Sequence, residues 1–477
     1  MPAFAAESLP ILGDAAGGEL SPLMERKLGE EIMHDIRRDP DYLDDAPLLE
    51  YLNNFGAILL AERPDVRGQA AYDFGFFGVR DPRINAFALP GGFIGVHSAL
   101  ILAAQSESQL ASVLAHEIGH VAQRHIARMI GAQKQDALLP LASVLLAALA
   151  ARSSGDAAAG IMMGGQGLAM QRQLNFSRDA EREADRIGLQ ILQDGGFDTS
   201  GMVGFFARMQ TATRNYSENL PPYLLSHPLT TERIADIEAR IRGQRYKQRA
   251  DSLDFYLIRA RVRVLQDSSV QGLRDATSAF ENQLLQKTAM DVAAAHYGLA
   301  FIAQKQGQLE QAEKRLQQAR RALPADTHSA VLAAFGIDLK LAERQPQQAL
   351  ALADAARAQF PLSRGIARQY GTALIEAGRA DDATRYLRDQ VQLYRQEPEL
   401  QQLLAKSYAA QGKQALQHLA LAESYALSGA LPSALEQLKI ARRAPDSSFY
   451  EQAIIDARER ELQAQWREQL EQSKKSR

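Results

Sequence analysis

The stretch Ala115-His116-Glu117-Ile118-Gly119-His120 sets two imidazoles and a carboxylate at the spacing a zinc hydrolase uses. On a helix, residues four apart share a face, so His116 and His120 can reach one metal ion together. Glu117 follows His116 and falls beside the place of a metal-activated water, where it can act as general base. The apolar stripe Leu110, Val113, Leu114, Ile118, Val121 and Ile126 predicts one helix from Ser106 to Arg128. The bland alternative is a buried helix whose two histidines only satisfy hydrogen bonds.

A catalytic zinc of this kind needs a third protein ligand and one open position. The stretch Ser177-Arg178-Asp179-Ala180-Glu181-Arg182-Glu183-Ala184-Asp185 offers it. Ala180 to Asp194 has helical periodicity and stops at Gly195-Gly196. Glu181 and Asp185 share a face of that helix. One can ligate the metal while the other holds a histidine ring by its second nitrogen. Glu183 points elsewhere, toward solvent or a nearby arginine. Without the upstream motif, Glu181 and Asp185 would read as acids favouring a helix N-terminus.

These residues carry a resemblance. His116-Glu117-Ile118-Gly119-His120, the later S-R-x-x-E-x-E-A-D-R-I-G run, and Asn85-Ala86-Phe87-Ala88-Leu89-Pro90-Gly91-Gly92 resemble the HtpX-like and CAAX-prenyl-protease-like zinc metallopeptidases. The likeness runs over nearly the whole chain. It is strongest to a periplasmic subgroup of Gram-negative bacteria that joins such a peptidase to tetratricopeptide repeats and serves β-barrel assembly. The resemblance implies Glu181 as third zinc ligand, Asp185 as the acid behind a ligand, and one zinc per chain. It implies that Asn85 to Val96 contains an edge strand on which a substrate peptide lies, with Asn85, Phe87 and Ala88 as substrate-binding candidates. It also marks Ser226-His227-Pro228-Leu229-Thr230: His227 would occupy the open zinc position and hold the enzyme off until displaced. Read by itself, His227 is a loop histidine before a proline. Arg233 would steady an oxyanion, pair with a site carboxylate, or lie on a helix surface.

Composition bounds the rest. The 477 residues imply two or more domains. A net charge of −3 gives no electrostatic support for nucleic-acid binding. Cysteine is absent, which excludes disulfides and thiolate ligands and suits an oxidising compartment. Ala3 and Ala5 have the form of a signal-peptide cleavage site, so a periplasmic destination is expected, with residues 1–19 a leader remnant and linker. Ala137 to Ala151 is apolar but holds Pro140 and falls short of the about twenty residues a span needs. With Ala157 to Met170 it reads as buried helices that also form an apolar flap over the cleft, which leaves room for peripheral membrane contact.

The predicted fold class is α+β and mostly helical: a zincin-like peptidase domain with a small sheet over residues 20–245, then an all-α tetratricopeptide solenoid over 254–477. Helices are expected at Leu20–Arg38 and Pro47–Ala61. Strands are expected at Tyr72–Val79, Ile84–Leu89 and Phe93–Val96. From Asp254 onward the texture is Ala, Gln, Leu and Arg. The spacing Leu299, Gly307, Ala312, Leu316, Ala319, Pro324 fits a helix-pair repeat, echoed at Ala349, Ala356, Pro361, again at Gly371, Gly378, Ala383, Leu387, and last at Gly429, Ala434, Leu438, Ala441. Leu400–Ala410 and Ala415–Leu427 supply further helices, and a charged C-terminal helix caps the array with Trp466 as a packing residue. Such an array presents a concave surface to protein segments. By resemblance the partners are unfolded or misassembled outer-membrane proteins and the β-barrel assembly machinery. Two functions stay open: a zinc endopeptidase for protein quality control, or a repeat-based chaperone and adaptor with a silent metal site. A closed, structural zinc with His227 as fourth ligand is the weaker third.

Overall fold

A computed structural model describes residues 21–67, 73–132, 178–215, 221–243, 249–285 and 288–475. The expected leader remnant at 1–19 and the flap at 137–170 lie outside the described residues. The chain divides into two compact units, Met1–Leu43 with Leu52–Asp251, and Asp44–Tyr51 with Ser252–Arg477.

The first unit is helical around a small sheet. Helix α1 (Pro22–Ile36) starts at Ser21, whose hydroxyl accepts from the Met24 amide, and α2 (Ala46–Leu60) follows, belonging to this unit from Leu52 onward. The sheet holds β1 (Gly75–Val79), β2 (Ala86–Leu89) and β3 (Phe93–His97), in the order β1-β3-β2. β3 runs parallel to β1, with Gly75 opposite Phe93, and antiparallel to β2, with Ala86 opposite Val96. The first strand starts later than its aromatics suggest: Asp73 and Phe74 are not in the ladder, and Tyr72 lies outside the described residues. β2 begins two residues after Ile84, at Ala86, and the ladder reaches one residue further back, where the His97 amide donates to the Asn85 carbonyl.

Helix α3 (Ser98–Ala103) leaves the sheet, and α4 (Glu107–Ala122) starts at Ser106, which caps the Gln109 amide. α4 stops short of the expected Arg128. Arg124 takes a left-handed backbone, φ 50°, and a new helix, α5 (His125–Ala132), begins. The Gln123 and Arg124 amides bond back to Gly119 and Val121, closing the end of α4. The Arg124 guanidinium is tied to buried Glu25 on α1, at 3.2 Å. Helices α6 (Arg178–Asp194), α7 (Ser200–Asn215), α8 (Pro222–Ser226) and α9 (Thr231–Ile241) complete the unit. Its core gathers Leu52, Phe55, Phe76, Ile94, Leu110, Leu114, Ile118, Leu192 and Phe205, all buried. Burial of such side chains stabilises a fold by about 1.5–3 kcal/mol each before the entropy of ordering is counted.

The second unit is a run of helices: α10 (Leu253–Gln266), α11 (Val270–Gln283), α12 (Ala289–Lys305), α13 (Leu309–Arg321), α14 (Ala330–Ala342), α15 (Pro346–Gln359), α16 (Arg364–Glu376), α17 (Ala380–Leu393), α18 (Pro398–Ala410), α19 (Gln414–Leu427), α20 (Leu431–Arg443) and α21 (Phe449–Lys475). Small and branched residues alternate in its core, as Ala349, Leu350, Ala353, Ile366, Leu374, Ala383, Leu387 and Leu404. A second cluster joins Leu435 and Leu438 of α20 to Ile455 and Leu462 of α21. Trp466, expected as a packing residue, lies outside that cluster and is 36% exposed. No described helix is long and apolar enough to cross a membrane.

Candidate metal centre

Two helices that almost touch build the site. α4 is buried on nearly every side, and His116, Glu117 and His120 are buried completely. α6 is amphipathic and turns Glu181, Ala184, Asp185 and Gly188 inward. The approach is set by glycine. A Cβ on Gly119 would stand 2.8 Å from the Ala184 carbonyl oxygen, and one on Gly188 would stand 3.0 Å from the His116 amide. Only bare backbone lets the two motifs meet at this distance.

A third segment arrives from far along the chain. His227 follows α8, with its amide bonded to the Tyr223 carbonyl at 2.8 Å and its ring 4.9 Å from the Tyr223 ring, centroid to centroid. The result is a cluster of His116, His120, Glu181 and His227, each offering one ligand atom, all within 4.8 Å of one another and all buried.

The donor spacings suit a metal ion. His116 Nε2 is 3.0 Å from His120 Nε2 and 3.3 Å from His227 Nδ1. Glu181 oxygens lie 3.4 Å from each of the first two nitrogens and 2.9 Å from His227 Nδ1. Ligands at 2.0–2.1 Å around a tetrahedral ion stand about 3.3 Å apart. Three nitrogens crowded around one carboxylate in a dry site are hard to satisfy by hydrogen bonds alone, and a cation satisfies them together. The donor set His, His, Glu is of the zinc type.

Glu117 lies at the edge of the cluster. Its oxygens are buried without a firm hydrogen-bond partner, and His227 Nε2 stands 3.5 Å from Oε1. Burial raises its pKa above the ordinary glutamate value; the nearby His227 and His116 and the Ala88 amide of β2 oppose the rise.

Behind the cluster stands an ion-pair frame. Asp185 Oδ1 is 2.9 Å from His116 Nδ1. Arg233, capped onto α9 by Thr230, grips Asp185 with Nε at 2.7 Å and Nη2 at 2.8 Å, and reaches Glu181 with Nη1 at 2.8 Å. Nη1 also donates to the Pro228 carbonyl, which ties the His227 loop to the same frame. Burial opposes ionisation of Asp185, but Arg233 and His116 outweigh it and hold its pKa below the usual range. The same contest holds Glu181 well down, with His227, His116 and His120 outweighing burial. Burial works against a charged His116, yet Asp185 and Glu181 reverse this and lift it to about 10, whereas burial keeps His120 well below 6.5.

Of the residues singled out in the sequence, His116, Glu117, His120, Glu181, Asp185, His227 and Arg233 come together. Arg233 pairs with site carboxylates rather than lying on a surface. Asn85, Phe87 and Ala88 sit at β2, which among the described residues has a strand partner on one side only; Asn85 is buried while Phe87 and Ala88 are half-buried. Glu183 lies outside the cluster and pairs with Arg128 at 3.0 Å, the nearby arginine expected. Two site neighbours escaped the sequence reading. Tyr223 is fully buried against His227 and His116, with no local spacing to flag it. His125 places Nδ1 2.8 Å from His120 Nδ1 and Nε2 3.0 Å from Glu183 Oε2. Burial, with Arg128 nearby, lowers its pKa to about 4 against the pull of Glu183. Its signal was a histidine five residues after the motif, which the single-helix expectation turned away from the site.

Comparison with known proteins identifies the family. Residues 60–241 match the family described as Peptidase family M48, and residues 340–407 match a tetratricopeptide repeat. The beta-barrel assembly-enhancing protease of Escherichia coli K12 is 32% identical over 459 residues, 96% of this chain and 92% of that protein. Its counterpart from Yersinia pestis is 31% identical over 454 residues, 95% of this chain and 91% of that protein. The mitochondrial metalloendopeptidase OMA1 of Schizosaccharomyces pombe is 32% identical over 238 residues, 49% of this chain and 65% of that protein. With peptidase and repeats both matched, and likeness running from end to end, this chain belongs to the family of β-barrel assembly-enhancing proteases, M48 metalloendopeptidases that carry tetratricopeptide repeats.

Proposed function

We propose that the chain is a zinc endopeptidase with chaperone-like activity, working in the periplasm on the quality control and assembly of outer-membrane β-barrel proteins, and gated by His227. The observation that carries this reading is the convergence of His116, His120, Glu181 and His227 with Glu117 beside them. When bound, a zinc ion polarises the scissile carbonyl and lowers the pKa of water. Glu117 takes the proton of the attacking water and delivers it to the leaving amine. Asp185 orients His116, and Arg233 holds Asp185 and Glu181 in place. The substrate backbone extends the sheet along β2, past Asn85, Phe87 and Ala88, which brings it to Glu117. His227, as fourth donor, excludes water until its loop shifts.

Catalysis is assigned to residues 20–245 and client or assembly-machinery binding to 254–477. The family name of the relatives supports the β-barrel client class. A second reading, an assembly adaptor with a silent site, is favoured by one observation: with His227 in place, four donors leave no open position.

Casein cleavage by wild type, Glu117→Gln and His227→Ala, with zinc measured on each preparation, tests this. Cleavage that rises in His227→Ala and vanishes in Glu117→Gln, at one zinc per chain, is the expected result. Bound zinc with no cleavage by any of the three favours the adaptor.

A further inference from the structure

We propose that His125 is a positioning residue for the metal centre, fixing the tautomer and ring direction of His120 with Glu183 behind it, as Asp185 does for His116. The proposal rests on the reading of His116, His120 and Glu181 as ligands.

To donate a lone pair from Nε2, a neutral His120 must carry its proton on Nδ1. That Nδ1 is 2.8 Å from His125 Nδ1, so His125 accepts there and carries its own proton on Nε2. His125 Nε2 then donates to Glu183 Oε2 at 3.0 Å. Arg128 donates to the same oxygen at 3.0 Å and keeps that carboxylate ionised and in place. Only one arrangement of protons satisfies all three contacts with Nε2 of His120 free, and it is the one metal binding needs. A ligand histidine held by its second nitrogen is both oriented and made a better donor.

The backbone supports a purpose for this contact. In a continuous helix, residue 125 would lie about 140° around the axis from His120. The left-handed turn at Arg124 brings it back against His120. A non-glycine residue in that region costs about 1 kcal/mol or more, and such strain gathers at working sites.

The test is zinc affinity of the full chain, by competition with a chromophoric chelator, alongside the visible spectrum of the cobalt-loaded protein. His125→Leu should bind zinc about 10–100-fold more weakly and shift the cobalt spectrum. His125→Asn, whose amide oxygen stands near the place of Nδ1 and can accept from His120 but is too short to reach Glu183, should lose clearly less affinity than His125→Leu. Glu183→Ala should lose about threefold or more, and the double variant His125→Leu/Glu183→Ala should be no weaker than His125→Leu, because the two act in series. Wild-type affinity in His125→Leu, equal losses in His125→Leu and His125→Asn, or multiplying losses in the double variant would overturn the proposal. Should His125→Leu fail to fold, Glu183→Ala decides, since Glu183 is 41% exposed and its replacement leaves the core intact; unchanged affinity there overturns it. His120→Ala checks the ligand reading separately: stoichiometric zinc in that variant sinks the ligand set rather than the role of His125.

Discussion

Arg233 concentrates the electrostatic risk of the site. It is buried, with Asp185 and Glu181 gripping three of its nitrogens. Removing one partner of a buried pair typically costs about 3–5 kcal/mol, because the other charge is left unpaired. Arg233→Met should therefore destabilise the metal-free protein by about that much in urea unfolding at neutral pH. Arg233→Lys should recover only part, since an ammonium cannot span both carboxylates as the guanidinium fork does. The pH dependence follows from the depressed pKa of Asp185. A carboxylate whose folded pKa lies below its unfolded value of about 3.9 contributes stability that is full above that value and is lost as pH falls through the folded one. In Arg233→Met the uncompensated acids should take up protons at higher pH, so the deficit should shrink on acidification, and a deficit constant between pH 7 and pH 5 would contradict this account. Glu117 behaves in the opposite sense. Burial raises its pKa, and in the proposed role of general base it must be ionised, so the acid limb of kcat/KM in the His227→Ala background should lie above the ordinary glutamate value of about 4.3.

Helix ends and helix approaches decide the elements. Four repeat turns use glycine in the left-handed region: Gly307 between α12 and α13, Gly378 between α16 and α17, Gly412 between α18 and α19, Gly429 between α19 and α20. The turn between α14 and α15 has Arg344 there, φ 57°, with the same closing bonds, Arg344 to the Leu341 carbonyl and Gln345 to the Lys340 carbonyl. An L-residue pays for this backbone where glycine does not. Arg344→Gly should raise stability in chemical denaturation by up to about 1 kcal/mol, the left-handed cost of an L-residue, about 1–2 kcal/mol, less the extra entropy glycine loses on folding. The approach of α4 to α6 predicts the reverse at Gly119. Gly119→Ala brings a methyl to 2.8 Å from the Ala184 carbonyl, so the helices must separate. A loss of about 1–3 kcal/mol is expected, with weaker metal binding at the proposed site because His116 and His120 move away from Glu181.

Across the whole molecule, every donor of the cluster belongs to the first unit. A metal that binds the folded state stabilises it by mass action, about 2.7 kcal/mol when free metal is a hundredfold above Kd. Stripping the metal should speed amide exchange in α4, α6 and the His227 segment and leave the cores of α14 to α20 unchanged. Equal loss of protection in both units would show that metal and repeats are energetically coupled. The second unit contains more than repeats. Asp45 takes Arg261 Nε at 2.7 Å, and Glu50 accepts from the Ser363 hydroxyl at 2.8 Å and the Gly365 amide at 3.1 Å, so a stretch early in the chain is stitched into a core built from its second half.

What the sequence determined by itself was local. His116, Glu117 and His120 share a helical face by spacing, Glu181 and Asp185 share another, and the alternation of small and branched residues announces stacked helix pairs. Those patterns repeat every three or four residues, so a linear reading captures them. The tertiary structure alone decided which faces meet. Gly119 and Gly188 allow two backbones to touch, His227 crosses 111 residues to reach His116, and Arg233 crosses 48 to reach Asp185. It also decided the break at Arg124. Spacing favoured an unbroken helix there, and the partner of Arg124 at the break, Glu25 on α1, lies 99 residues earlier in the chain. Periodicity is a property of neighbours, whereas contact between distant segments depends on how the whole chain closes, and no local pattern encodes that closure.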